Sequence, residues 1–265
     1  MNIYMRELKA HTKSILIWCA GMIFLVAAGM GKYSAGASAG DNSMNELIGK
    51  MPQSLQNLFG VGTFDLTIAL EFFAILFMYI LFLAAIHAVM LGSGIISKEE
   101  RDRTAEFLLV KPVSRQKILT AKLLASVTIL LVFFLVTYAV SYAILSYYSK
   151  GAAFEDGLMK LMASFGAIQL LFLSIGAFFA GIFKNPKRSG AAGTAVMMIM
   201  YIVAVIVDVV EKLDFLKYIT FFQYYDAKDI LKGGYSIIYP VISVVIIALL
   251  IYGAYHFYQK RDMKI

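Results

Sequence analysis

The stretch that decides the fold class is residues 72–97, FFAILFMYILFLAAIHAVMLGSGIIS, in which none of the 26 residues is Asp, Glu, Lys or Arg. A helix needs about 20 mostly apolar residues to cross the hydrocarbon layer of a membrane. A charge-free stretch of this length is typical of a transmembrane helix. We therefore predict that residues 72–97 lie within a membrane.

Five further stretches of at least 18 residues also lack charge: 14–31, 123–149, 161–183, 189–207 and 233–259. The 265-residue chain is 60% hydrophobic and 15% charged, with a mean hydropathy of +0.76. A typical globular chain is about 45–50% apolar and about 25% charged. This composition excludes a soluble enzyme, a nucleic-acid-binding protein and a disulfide scaffold. We predict an all-α, polytopic membrane protein with six transmembrane helices.

No linker or repeat divides the chain, so residues 1–265 are predicted to form one membrane domain. Allowing for residues at the span ends, we place the spans at about 14–31, 67–97, 118–149, 161–183, 189–210 and 236–259.

The distribution of basic residues predicts the orientation. Of the 24 Lys and Arg residues, 16 lie in four segments that face the same side when six spans alternate: 1–13, 98–122, 184–188 and 260–265. Short cytoplasmic segments carry an excess of Lys and Arg. We expect a multi-pass protein of the plasma membrane with both termini in the cytoplasm.

The N-terminal residues 1–13 are amphipathic at helical spacing. Met5 and Leu8 can face lipid while Arg6 and Lys9 face phosphates, which predicts a helix lying in the membrane interface. A frayed basic tail is the alternative. The following apolar run resembles the core of a signal peptide, but the small-residue site near Ala37 lies far beyond it, so we expect a retained helix.

Motifs for several chemistries are absent from the sequence. The pairs Gly31-Lys32 and Gly49-Lys50 lack the upstream Gly and the following Ser or Thr of a phosphate-binding loop. The sequence contains three His and one Cys, with neither H-E-x-x-H nor C-x-x-C. We predict that this chain is not an enzyme and holds no cofactor or metal.

A few polar residues fall inside the predicted spans, where such side chains are costly and often functional. They are His87, Thr137, Ser141 and Gln169. Each is a candidate for lining a substrate pathway, and a hydrogen bond to a neighbouring helix is the alternative. Asp208, at the outer end of the fifth span, is expected to be solvated.

The outer segment 213–234 is rich in Phe and Tyr. A pair of short helices entering the outer leaflet, with a break near Gly233-Gly234, would fit this composition. A plain belt of aromatic residues at the membrane surface is the alternative.

The loop between the second and third spans, residues 98–117, is densely charged yet contains the apolar residues Leu108 and Leu109. Pro112 is expected to end a short helix here, and Ser114 can cap the next helix. A solvated loop would not need exposed leucines. This pattern predicts a cytoplasmic helix that docks on another protein.

This loop resembles the signature of ABC-2-type permeases, the membrane subunits of ABC exporters. The signature E-E-x-x-G-T-x-E-x-L-L-x-x-P-V-S-R-x-x-I-x-x-x-K is matched by Glu99, Glu100, Thr104, Glu106, Leu108, Leu109, Pro112, Val113, Ser114, Arg115, Ile118 and Lys122. The chain departs from it at Arg103, where the family has Gly.

The resemblance implies that the loop is a coupling helix that docks on a cytoplasmic ABC ATPase. The coupling residues would be Glu99, Glu100, Thr104, Glu106, Leu108, Leu109, Pro112 and Arg115. It also implies a second permease, identical or a sister chain, with ATP and Mg bound by the ATPase subunits. The apolar spans favour an apolar or amphipathic substrate. Among such substrates, the resemblance implies a peptide toxin, a peptide antibiotic or a drug-like molecule. A secondary transporter and a membrane-embedded scaffold or enzyme are the alternatives.

Overall fold

The computed structural model describes residues 3–37, 49–52, 56, 61, 64–102, 113–233 and 236–260. Its long helices are α1 (Ile3–Ala37), α2 (Ala69–Arg101), α3 (Arg115–Tyr148), α4 (Glu155–Ile182), α5 (Pro186–Val209) and α7 (Ile238–Lys260). The shorter elements between α5 and α7 are a 3-10 helix (Glu211–Tyr218), α6 (Phe221–Tyr224) and a π-helical turn (Asp229–Gly233).

All six long helices are long and apolar enough to cross a membrane, which confirms the all-α class and the number of candidate spans. Their order alternates in direction, so residue 3, Arg101, Arg115, Pro186 and Lys260 lie at one end of the bundle. This end, called the basic end below, carries the excess of Lys and Arg.

Helices α2 and α4 form the centre of the bundle and share its most extensive helix contact. Gly92 and Gly176 make this contact possible. A Cβ atom on Gly92 would lie 2.3 Å from the carbonyl oxygen of Leu173, and one on Gly176 would lie 2.4 Å from that of Val89. The two backbones approach closely because small residues at a membrane helix crossing leave no side chain between them.

The other helices surround this pair. Helix α1 packs on α3 and α2, α5 packs on α2 and α4, and α7 packs mainly on α4. Helix α7 has a low share of buried residues, and Val244, Leu249 and Tyr252 are exposed on it. Exposed apolar side chains on spans of this kind are expected to contact lipid or another apolar surface.

The structure differs from the expectation of a separate N-terminal helix over residues 1–13. Helix α1 is continuous from Ile3 to Ala37, with no break before the first predicted span. The physical reason is that residues 3–20 contain neither Pro nor Gly, so nothing interrupts the backbone hydrogen bonds. The position of its first turns relative to a membrane surface stays a prediction.

The aromatic outer segment is divided between surface and core. Phe215 and Tyr218 are exposed, whereas Phe222 and Tyr225 are buried, with Tyr225 fully so. The Tyr225 hydroxyl lies 2.8 Å from Ser243 Oγ of α7. The segment is therefore built from short helices that return into the bundle and is only partly an aromatic belt.

Candidate functional site

The ends of the predicted docking loop are described, and its middle is not. Thr104, Glu106, Leu108, Leu109 and Pro112 lie outside the described residues. The flanking helices end at Arg101 and begin at Arg115.

The start of α3 is fixed as predicted from the sequence. The Lys117 amide N–H donates to the Ser114 hydroxyl oxygen at 3.3 Å, which satisfies one of the free amides of the first turn. Arg115 Nη1 donates to the carbonyl oxygen of Gln259 at 3.1 Å. This bond ties the start of α3 to the end of α7.

Glu99 is the centre of a buried ionic cluster at the basic end. Its carboxylate accepts from Lys122 Nζ of α3, and from Arg6 Nη2 of α1 at 2.7 Å. Lys122 has no solvent-exposed side-chain area and also donates to the carbonyl oxygens of Ile95 and Ile96. A lysine is tolerated in such a site because every donor of its ammonium group can find an acceptor.

A second carboxylate completes the cluster. Glu7 of α1 is fully buried, and it accepts from Arg6 Nη2 at 2.9 Å and from Lys98 Nζ at 3.1 Å. The five residues Arg6, Glu7, Lys98, Glu99 and Lys122 are called the charge network below. Three cations surround two carboxylates, and together they join the ends of α1, α2 and α3.

Sequence reasoning missed most of the charge network. Arg6 was expected to face lipid phosphates, but the structure turns its guanidinium towards Glu7 and Glu99. Glu99 and Lys122 are both part of the permease signature, and their ion pair gives a reason for their joint presence. The pairing depends on how three helices pack, and no local pattern encodes it. Glu100, the remaining acid at this end of α2, is partly buried.

The polar residues inside the spans are all buried in the bundle. His87 lies between the rings of Trp18 and Phe133, with centroid distances of 5.0 and 4.7 Å. Thr137 donates to the carbonyl oxygen of Phe133 at 2.8 Å, within its own helix.

Three of these residues have a buried polar atom with no hydrogen-bond partner among the described residues: His87 Nδ1, Ser141 Oγ and Gln169 Nε2. The expected hydrogen bond from His87 to a neighbouring helix is therefore not seen at Nδ1. All four sequence candidates lie within the core of one chain, on α2, α3 and α4.

The opposite end of the bundle carries a polar contact that fixes the returning outer segment. Gln223 Nε2 donates to Asp208 Oδ1 at 2.6 Å and to the carbonyl oxygen of Ala204 at 3.1 Å. Asp208, which was expected to be solvated, is thus partly buried and bonded. Nearby, burial and repulsion from Asp229 raise the pKa of the Asp226 carboxyl.

No group of three or more His, Cys, Asp or Glu side chains that could hold a metal ion occurs in the part of the chain that the structure describes. The described residues at the basic end form ion pairs that join three helices.

Comparison with known proteins identifies the chain. Residues 1–263 match the model of the ABC-2 family transporter proteins. No curated protein matches the chain at a significant level. Permeases of this family work with separate ABC ATPase subunits, and the match covers a transmembrane domain without an ATPase domain. Together with the six candidate spans, this match shows that the chain belongs to the ABC-2 transporter family as a multi-pass membrane subunit.

Proposed function

We propose that the chain is the permease subunit of an ATP-driven exporter and that residues 98–117 dock on a cytoplasmic ATPase subunit. The observation that carries the proposal is the charge network. It joins the two helices that flank the loop, through Glu99 and Lys122, and attaches both to α1 through Arg6.

The network supports a mechanical role for the loop. A force applied to residues 103–112 reaches the end of α2 and the start of α3 together, because the Glu99–Lys122 ion pair bridges them. Glu7, Arg6 and Lys98 extend this connection to α1. Closure of an ATP-bound ATPase dimer against the loop would thereby shift three spans as one unit.

The docking residues of this proposal are those of the permease signature. Leu108 and Leu109 would fill a cleft of the ATPase, and Pro112 would hold the helix at a fixed angle. Glu100, Thr104, Glu106 and Arg115 would set orientation and salt dependence. ATP and Mg would be bound by the ATPase subunit alone.

The complete transporter would contain a second permease, either a copy of this chain or a sister chain. Two further membrane helices, α5 and α7, offer exposed apolar faces for such contacts and for lipid. The substrate proposed for the pathway is amphipathic, because the spans supply many Phe, Leu, Ile and Met side chains and few charges. Peptide toxins, peptide antibiotics and drug-like amphiphiles have this chemistry.

His87, Thr137, Ser141 and Gln169 are proposed to become part of the pathway when the helices move. Their support is the combination of burial with unpartnered polar atoms on three of them. His87→Phe keeps an aromatic ring between Trp18 and Phe133 while removing the nitrogen atoms. If the proposal holds, this variant alters substrate-stimulated ATP hydrolysis with unchanged thermal stability. A loss of stability with normal stimulation would assign His87 to packing.

The orientation is tested by cysteine labelling in a Cys19→Ser background. We expect a membrane-impermeant maleimide to label intact cells carrying Gly40→Cys or Lys228→Cys, but not Arg103→Cys or Lys187→Cys. The last two should be labelled only after the cells are opened. Labelling of Arg103→Cys in intact cells would place the loop outside and remove the docking proposal.

A further inference from the structure

A surface groove lies at the basic end, between the first turns of α1 and of α3. It has a volume of about 420 Å³ and is lined by Tyr4, Lys117, Thr120, Ala121 and Leu124. Ligand sites commonly have volumes of about 300–1,000 Å³. The groove is separate from the charge network, none of whose residues lines it.

The lining changes from charged to apolar along α3. Residues 117, 120, 121 and 124 are spaced as one face of a helix, with Lys117 nearest the basic end. Leu124 lies about 10 Å deeper at a rise of about 1.5 Å per residue. Leu124 is 57% exposed, and the apolar surface continues to Val127 and Leu131. A ligand for this groove needs a charged head and an apolar tail.

Hydrogen bonds hold the sides of the groove in place. The Tyr4 hydroxyl lies 3.0 Å from Thr128 Oγ1, which connects α1 to α3. Thr120 Oγ1 lies 2.7 Å from the Tyr255 hydroxyl, which connects α3 to α7. A groove that is already formed costs little conformational entropy when a ligand binds.

Lys117 supplies a positive charge at the head of the groove. Within the described part of the chain, no carboxylate lies within ion-pair distance of Lys117, whereas Lys122 on the same helix is paired with Glu99. Lys117 is exposed, so its ammonium can bind a phosphate group at the boundary between water and hydrocarbon.

We infer that this groove binds an anionic phospholipid of the cytoplasmic leaflet, with its phosphate at Lys117 and an acyl chain along Ala121 and Leu124. Charge complementarity favours an anionic lipid over a zwitterionic one. Lys117 is the last residue of the loop 98–117 but is not among its proposed docking residues. The inference therefore uses the cytoplasmic orientation of the proposed function, but it does not depend on ATPase docking or on the exported substrate. A bound lipid would fill the space between α1 and α3 and support their contact.

The test measures lipids retained by the full-length protein. The purified chain is reconstituted in vesicles of equal parts phosphatidylglycerol and phosphatidylcholine, extracted again in mild detergent, and its bound lipids are quantified by mass spectrometry. We expect phosphatidylglycerol to be enriched, and Lys117→Ala to reduce its retention about fivefold, the effect of about one surface charge. Ala121→Trp, which fills the groove, should reduce retention of both lipids.

Lys13→Ala is the matched control, because Lys13 is an exposed cation of α1 that does not line the groove. It should leave retention unchanged, as should excess inorganic phosphate. Equal retention by Lys117→Ala and Lys13→Ala would overturn the inference. So would an Ala121→Trp variant that keeps its phosphatidylglycerol but loses ATPase binding, because the groove would then be a protein-docking surface. If Lys117→Ala loses phosphatidylglycerol but still recovers the ATPase normally, the lipid inference is supported independently of the docking proposal.

Discussion

At the scale of single residues, the charge network is expensive to build and is held by mutual compensation. Removing a charge from water costs several kcal/mol per ion, and only close, complete pairing offsets this cost. Glu7 and Lys122 both have fully buried side chains, and both have partners of opposite charge. Removing one charge of a buried pair should therefore destabilise the protein more than removing both charges.

Lys122→Met should destabilise the protein by about 3 kcal/mol, because it leaves the buried Glu99 carboxylate with Arg6 as its one remaining partner among the residues that the structure describes. Adding Glu99→Gln should recover part of this loss. The free energy of unfolding is measured by denaturation in mixed micelles. Lys117→Met, an exposed cation on the same helix, is the control and should have little effect. Equal losses for Lys122→Met and Lys117→Met would show that the network contributes nothing.

Asp226 should make stability depend on pH. Burial and the repulsion from Asp229 raise the pKa of its carboxyl. The hydrogen bond from the Lys228 amide N–H and the charges of Lys228 and Lys217 lower the pKa, but by less, so the net shift is upward. A raised carboxyl pKa means that the folded state binds the proton more tightly than the unfolded state. Stability from this group should therefore rise as pH falls from neutrality through the raised pKa, until the ordinary value of about 3.9 is reached.

Asp226→Asn tests this expectation, because the amide has the same shape and does not titrate. Its unfolding temperature should be higher than that of the wild type at pH 8, and the difference should shrink as the pH is lowered and the wild-type carboxyl takes up its proton. Asp156→Asn, an exposed acid at the start of α4, is the control. An advantage of Asp226→Asn that grows as the pH falls would have the wrong sign and would contradict the assignment.

At the scale of elements, the crossing of α2 and α4 sets the geometry of the bundle. These two helices run in the same direction and touch at Gly92 and Gly176. Any side chain there must push one backbone away from the other. Gly94, two residues from Gly92, has open space at its Cβ position.

Gly92→Ala should destabilise the protein by about 1–3 kcal/mol, because its Cβ would lie 2.3 Å from the Leu173 carbonyl oxygen. Gly94→Ala is the matched control and should be neutral or slightly stabilising, since Ala favours a helix. Thermal unfolding in detergent distinguishes the two variants. Tolerance of Gly92→Ala with an unchanged melting temperature would mean that the helices cross elsewhere.

The helices could be predicted from the sequence where the feature that defines them is local. Charge-free stretches identify the spans because the membrane interior rejects ionised side chains, and Ser114 identifies a helix start through its hydroxyl. The uninterrupted α1 was missed because amphipathic residues 1–13 were expected to leave the axis of the first span. Nothing in those residues breaks a helix.

The contents of the candidate site were predictable only in part. The sequence identifies Glu99 and Lys122 as members of one signature, but their contact bridges two helices. Arg6 reaches Glu99 across 93 positions in the chain, a contact that depends on the packing of α1 against α2. Such pairs cannot be predicted from hydrophobic periodicity. Periodicity indicates which face of a helix is buried, but it does not indicate which other helix packs against that face.

At the scale of the whole molecule, the charge network and the polar contacts of the outer segment lie at opposite ends of one helical bundle. The basic end holds the charge network and both flanks of the docking loop. The opposite end holds the returning segment that Gln223 and Tyr225 attach to α5 and α7. In the proposed function, the charge network would connect ATPase docking at the basic end to movement of α1, α2 and α3.

The most direct measurement of the central claim is the recovery of the partner ATPase with Leu108→Ala/Leu109→Ala. Burying one Leu side chain contributes about 1.5–3 kcal/mol, so the double variant should weaken ATPase binding by about 3–5 kcal/mol. Tagged ATPase is co-purified with wild-type and variant permease at equal membrane levels, with Leu124→Ala as an exposed-leucine control outside the loop. The account predicts that the double variant inserts normally but recovers little ATPase and loses substrate-stimulated ATP hydrolysis. Undiminished recovery with normal stimulation would contradict it.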